Sequence, residues 1–238
     1  MIQIDIVDYD NLSSLGMRIT KYVNSNLRDR YLETQSEKNR GLCNSLSENI
    51  VMELISVIKR FQKRIVHFEN RDEVEITADI QDAIAGSLNS KYDLHISREF
   101  TMGRAIKKLG ETDLYIYVEK DGHVTDYAVL ENKYIENFTN QYNQLMGYLN
   151  HNFEFGITLS MNREMSLKKG FDEIENKLKS IKGDFQPIRI QRIGERDTLM
   201  ITSEHIIPET GNRMKVFHMI FQLNDKERKE AAASARKR

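Results

Sequence analysis

The tripeptide Glu-Asn-Lys occurs twice, as Glu131-Asn132-Lys133 in YAVLENKYIEN and as Glu175-Asn176-Lys177 in FDEIENKLKSIK; a looser acid-x-Lys triplet, Glu227-Arg228-Lys229, lies near the C-terminus. With 30% charged residues such triplets arise by chance, so the element carrying each one decides whether it can act. The second copy falls on a helical pattern with Phe171, Ile174, Leu178 and Ile181 as its apolar stripe. Side chains two apart on a helix diverge by about 200°, so Glu175 and Lys177 read as surface charge. The first copy ends an apolar run, YAVLE, that reads as a strand. Residues two apart on a strand share a face, so Glu131 and Lys133 stand together. A carboxylate beside an ammonium suits a hard cation such as Mg²⁺. The carboxylate holds the ion through oxygen, and the ammonium orients or helps deprotonate an attacking water.

One carboxylate seldom holds Mg²⁺ alone, and Asp113 in LGETDLYIYV is the expected second. Strand register tests the pair. A two-residue Asp121-Gly122 loop sets Asp113 opposite Leu130 and turns Glu131 to the wrong face. An odd loop such as Asp121-Gly122-His123, or an intervening bulge, sets Asp113 opposite Glu131. Facing carboxylates are destabilising unless a cation lies between them. The plainer alternative makes both acids exposed strand residues with Lys133 as a local ion-pair partner.

The surrounding pattern supplies elements to position these groups. SLSENIVMELISVIKRFQKRIVHF reads as a long amphipathic helix, with Ser45 and Glu48 as a capping box and a basic face of Lys59, Arg60, Lys63 and Arg64. A second helix follows Asn70, which is spaced with Glu73 as a capping box; Ile76, Ile80, Ala83/Ile84 and Leu88 form its buried stripe. DLHISREFTM is a strand, and GETDLYIYVEKDGHVTDYAVLENKYI two strands about an Asp-Gly turn. The helix NFTNQYNQLMGYLNH, the strand FEFGITLS, a helix over SLKKGFDEIENKLKSIKG and three later strands complete an α/β order.

Composition narrows the function classes. The 238 residues, 39% hydrophobic, suffice for one large domain, and a net charge of -1 confines any nucleic-acid surface to a local patch. The single Cys43 excludes an internal disulfide and a Cys-rich zinc site and suggests a reducing compartment. No apolar run approaches the roughly 18 residues that span a bilayer. The start, MIQIDIVDYD, is acidic, unlike a signal peptide. A cytoplasmic protein without a membrane partner is the expectation. The six histidines lack metal-ligand spacing, and no phosphate-binding glycine loop of the nucleotide-triphosphatase kind occurs.

In their order, these motifs resemble the PD-(D/E)XK nuclease superfamily. Its pattern is a helix acid, a strand, a Gly-x-x-Asp strand, a partner strand ending in Glu-x-Lys, and a helix bearing Gln. Here the series is Glu75 or Asp79, GETD ending at Asp113, LENK giving Glu131 and Lys133, and QLMGYL with Gln144 and Tyr148. The likeness spans roughly residues 72–160, and its order carries more weight than any one motif. Asn132 departs from the apolar residue common between the acid and the lysine.

The resemblance implies a restriction-endonuclease-like mixed central sheet flanked by helices, preceded by an N-terminal helical segment. The domain would run over residues 71–224, with residues 1–70 docking a partner protein, a second copy or substrate, and a charged tail over 225–238. It implies Mg²⁺-dependent hydrolysis of DNA phosphodiester bonds, with Mn²⁺ as a substitute ion and RNA as an open alternative. A prokaryotic restriction or anti-phage setting goes with it. Asp113, Glu131 and the Asn132 carbonyl would hold the metal and Lys133 would act on the water. Glu75, favoured over Asp79, would assist through the metal or its water. Gln144 and Gln141 would steady the phosphate or Lys133, and Tyr148 would be core. Arg98, Arg104, Lys107 and Lys108 are candidate phosphate contacts, with solvated loop charge as the alternative. A non-catalytic binding or assembly module of the same fold is the runner-up, and an accidental pattern on an interaction protein the third.

Overall fold

The computed structural model describes residues 46–224, except residues 69, 103–109, 121, 195–199 and 208–209. The expected tail over 225–238, the segment before residue 46, the Ser45 cap and the candidate contacts Arg104, Lys107 and Lys108 lie outside the described residues. Helix α1 (residues 46–62) ends before a 3-10 turn at Ile65–Phe68, so the expected long helix breaks near Lys63. Then come α2 (Glu73–Tyr92), β1 (His95–Met102), β2 (Gly110–Lys120), β3 (His123–Tyr134), α3 (Phe138–Tyr148), β4 (Phe155–Asn162), α4 (Leu167–Ser180), β5 (Arg189–Ile193), β6 (Met200–Ile206) and β7 (Arg213–Gln222).

The strands form one seven-stranded mixed sheet in the order β1-β2-β3-β4-β7-β6-β5. β4 lies parallel to both β3 and β7, and the remaining neighbours are antiparallel. Every residue of β4 is buried, as expected for a strand covered on both faces. On one face α3 and α4 cover Tyr115, Val129, Val216 and Ile220. The alternating residues of the other face, including Leu130, Leu159 and Phe221, are also buried. There Phe61 and Phe68 stack at 4.8 Å, and both rings meet Phe221.

Among the described residues α1 contributes to the same core as the sheet. Glu53 of α1 accepts from Ser87 and ion-pairs with Lys91, both on α2.

Helix α2 starts two residues later than its sequence suggests. Asp72, not Asn70, is the cap: its carboxylate accepts from the Glu75 N–H at 2.8 Å, and the Glu75 carboxylate accepts from the Asp72 N–H at 3.0 Å. Both Asn70/Glu73 and Asp72/Glu75 have capping-box spacing, so the sequence offers two starts and the packing selects one.

A chain of hydrogen bonds crosses the covered half of the sheet. The Tyr142 hydroxyl donates to the Phe185 carbonyl at 2.5 Å, which fixes the sense of the rest. His205 Nδ1 donates to Tyr142 at 3.1 Å, and its Nε2 accepts from Ser203 at 2.6 Å. Ser203 accepts from His218 Nε2 at 2.8 Å, and His218 Nδ1 accepts from Thr158 at 2.8 Å. With both histidines neutral, every donor in this chain meets an acceptor. Burial agrees, lowering His205 to about 4 and His218 to about 3.

Candidate functional site

The β2–β3 hairpin closes through two residues, since Lys120 pairs with His123, and Gly122 takes a φ of 75°. On loop length alone Asp113 and Glu131 would part. The register then shifts: Tyr117 pairs with Asp126, but Ile116 pairs with Ala128 and Leu114 with Leu130. Tyr127 is the extra residue, and its carbonyl accepts from the Glu154 N–H at 2.9 Å, ahead of β4. The shifted register, continued one step, brings Asp113 opposite Glu131. Asp113 Oδ2 accepts from the Asn132 N–H at 2.6 Å.

Glu131 is fully buried on the face covered by α3, and neither of its carboxylate oxygens accepts a hydrogen bond from a described residue. Its polar neighbours are the Asp113 carboxylate, which is also an acceptor, and the Asp113 N–H, which pulls the other way. Burial first and Asp113 second push the Glu131 carboxyl up to about 9, against the pull of Lys133. Such a pair needs a proton or a cation between its oxygens. Lys133, on the same face, holds its Nζ 3.6 Å from Glu73 Oε1.

Glu73, not Glu75, is therefore the acid that α2 delivers to this cluster. Burial raises its carboxyl, Lys133 opposes that, and Asp113 adds to it. Glu75 is exposed and occupied with the helix cap, and Asp79 is paired with Arg71. The signal was present in the sequence, because Glu73 precedes Ile76, Thr77, Ile80 and Ile84 on the core-facing stripe.

The other expected residues divide. The Asn132 side chain turns to the opposite face, where it donates to Thr77 of α2 at 2.9 Å, so this polar middle residue pins α2 to the sheet. Gln144 donates to the Tyr148 hydroxyl at 3.0 Å. Burial raises that phenol most, and the charges of Glu131 and Asp113 raise it further. Both side chains thus belong to the neighbourhood of the acids, and Tyr148 is more than core filling.

Gln141 is not a phosphate contact. Fully buried, it donates to the Glu131 carbonyl at 2.6 Å and the Leu159 carbonyl at 2.9 Å and accepts from Ser160 at 3.0 Å. It joins β3 to β4 beneath the acids. Gln141→Leu strands these groups and is expected to cost about 2–3 kcal/mol, read as a lower denaturant midpoint. Arg98 pairs in register with Leu114 and so projects from the face opposite Asp113; it is exposed but off the site's face.

The second Glu-Asn-Lys copy is helical, as expected. Glu175 pairs with Lys179 and Arg192. Lys177 is more than surface charge: its Nζ donates to the Ile135 and Glu136 carbonyls at 3.1 Å each, fixing the 3-10 turn that follows the first copy.

The cluster fits an ion with few protein ligands. Among the described residues no group of three or more His, Cys, Asp or Glu side chains is arranged to hold a metal. Mg²⁺ needs fewer, because it commonly keeps several waters and takes one or two carboxylates plus substrate phosphate oxygens. The facing carboxylates of a buried Glu131 and a partly buried Asp113 are the donor set such an ion would take. Among the described residues no helix is long and apolar enough to cross a membrane. No family model matches the chain, and neither a curated protein nor a solved structure matches it.

The buried histidines give a separate expectation. Below about pH 6.5 the unfolded chain takes up protons that the folded chain refuses until about pH 4. Stability therefore falls with pH across that window, by about 2 kcal/mol per histidine between pH 6.5 and 5. The measurement is a set of denaturant midpoints in Glu131→Gln protein, which lacks the opposite contribution of Glu131. A flat profile there means the histidine chain is not intact.

Proposed function

We propose that the chain is a Mg²⁺-dependent nuclease of the PD-(D/E)XK kind that hydrolyses DNA phosphodiester bonds. The observation that carries this reading is the bulge at Tyr127, which aligns a buried Glu131 with Asp113 and leaves Lys133 beside them. The element order lends support: a helix, an antiparallel three-strand meander, a second helix, then a strand parallel to β3. This is the order the resemblance implies, with the acids and lysine at one end of the sheet. The prokaryotic defence setting rests on the resemblance alone.

In this mechanism Asp113, Glu131 and the Asn132 carbonyl would hold the ion. Magnesium, when bound, polarises the scissile phosphate and lowers the pKa of a coordinated water. Lys133 orients that water and offsets the negative charge developing on phosphorus oxygens as the P–O bond breaks. Glu73 holds the Lys133 ammonium in place. Tyr148, steadied by Gln144, closes the α3 side of the site.

Purified protein is to be incubated with supercoiled plasmid and with single-stranded DNA in Mg²⁺, Mn²⁺ or EDTA. Cleavage that needs the divalent ion and disappears in Asp113→Asn supports the reading. Binding without cleavage favours the non-catalytic module, and neither activity refutes both.

A further inference from the structure

Resting on that reading, we infer that Arg163 is a positioning residue: it clamps the start of α2 to the end of β3 so that Glu73 meets Lys133. The β3–β4 register pairs Lys133 with Ser160 and Tyr134 with Met161. Arg163 therefore emerges just beyond β4, at the same end of the sheet as Lys133. Its Nη2 donates to the Arg71 carbonyl at 2.6 Å, across 92 residues of sequence. Arg71 directly precedes the cap Asp72, and Glu73 opens the helix. The same guanidinium lies over the Tyr134 ring, 5.3 Å from its centroid, and Tyr134 adjoins Lys133 in β3. One planar group thus touches both segments that carry the Lys133–Glu73 pair.

The clamp is itself anchored. The Arg163 carbonyl accepts from Asn224 Nδ2 at 2.7 Å. The preceding Asn162 is fully buried, and its Oδ1 accepts from the backbone N–H groups of Glu164 at 3.3 Å and Met165 at 3.0 Å. On the other side Arg71 ion-pairs with Asp79, and its guanidinium lies 5.8 Å from the Phe68 centroid. Lying over a ring while donating a hydrogen bond in its own plane suits the flat fork of arginine, whereas a lysine ammonium supplies only a point charge. With two candidate caps two residues apart, this contact is one that selects the later start. A one-residue shift in the register of the helix against the sheet would rotate Glu73 by about 100° away from Lys133.

The test uses full-length protein carrying Arg163→Met or Arg163→Lys, alone and with Glu73→Gln. Two readouts are taken: cleavage kinetics in Mg²⁺, and amide hydrogen exchange over residues 72–76. Both single variants should lower kcat by roughly 10–100-fold with KM little changed. Exchange at the first turn of α2 should quicken while the sheet amides stay protected. In the Glu73→Gln background, Arg163→Met should cost no further activity, since the group it positions is already gone. Unchanged exchange overturns the clamp. So does a full additional loss in the Glu73→Gln background, or a loss confined to KM, which would make Arg163 a direct phosphate contact. If wild-type protein does not cleave DNA but Arg163→Met quickens exchange at α2, the clamp stands and the nuclease reading fails.

Discussion

On the proposed nuclease reading, Lys133→Ala is expected to lower the rate of Mg²⁺-dependent DNA cleavage by about 10²–10³-fold, while the unfolding midpoint stays close to that of wild type. The asymmetry follows from where the side chain sits. Lys133 is about a quarter exposed and pairs with a partly exposed Glu73. Removing such a pair costs well under about 1 kcal/mol of stability once solvent screening is counted. In the reaction the same ammonium faces charge that builds only as the phosphate is attacked, inside a site walled by α3. Lys133→Arg restores the charge but not its placement, because the longer planar group cannot occupy the ammonium's position beside Glu73. It should recover little of the rate. A lysine that tolerates alanine within a factor of about three leaves the nuclease mechanism without its cation.

Glu131→Gln gives the opposite pattern: in EDTA the protein becomes more stable. Its carboxyl ionises near 4.5 in water and near 9 in the fold, because burial and Asp113 both resist the charge. Between those values the folded chain holds a proton that the unfolded chain has released, so stability falls as pH rises through the window. At pH 7 the penalty is about 3 kcal/mol, from the 2.5 units between 4.5 and 7. A neutral amide of the same shape avoids it. The gain should shrink towards pH 5 and grow towards pH 9. Mg²⁺ should raise the midpoint of wild-type protein and leave that of Glu131→Gln unmoved, since only the carboxylate rewards the ion. A Glu131→Gln protein no more stable than wild type at pH 8 would mean that the buried pair is already neutralised by protein groups.

The sequence makes the elements legible where periodicity is strong. Alternation along YIYV and YAVL marks the β2–β3 hairpin, and the Asp-Gly dipeptide marks its turn. The pairing of Asp113 with Glu131 was legible only as a condition, because the bulge that satisfies it lies where the Tyr127 carbonyl accepts from Glu154. That contact comes from the segment just before β4 and leaves no trace in the hairpin's own letters. The helix acid was misplaced for a related reason. The expected cap at Asn70 left the phase of α2 right but its start two residues early, and the contact of Arg163 with Arg71 belongs to tertiary structure. Gln141 was expected to steady the phosphate or Lys133, because a polar helix residue usually faces solvent or a ligand. Its face is instead roofed by strand carbonyls that need donors. Local pattern thus located the chemistry, and long-range hydrogen bonds decided which acid and which amide take part.

The most direct test of the paired-acid site is diffraction from crystals grown with Mn²⁺, recorded for its anomalous signal at a pH near 8. The account predicts one peak between Asp113 and Glu131, with carboxylate oxygens at about 2.1 Å, lost in Asp113→Asn. An empty gap bridged by a shared proton, or a peak bound by other residues, would contradict it.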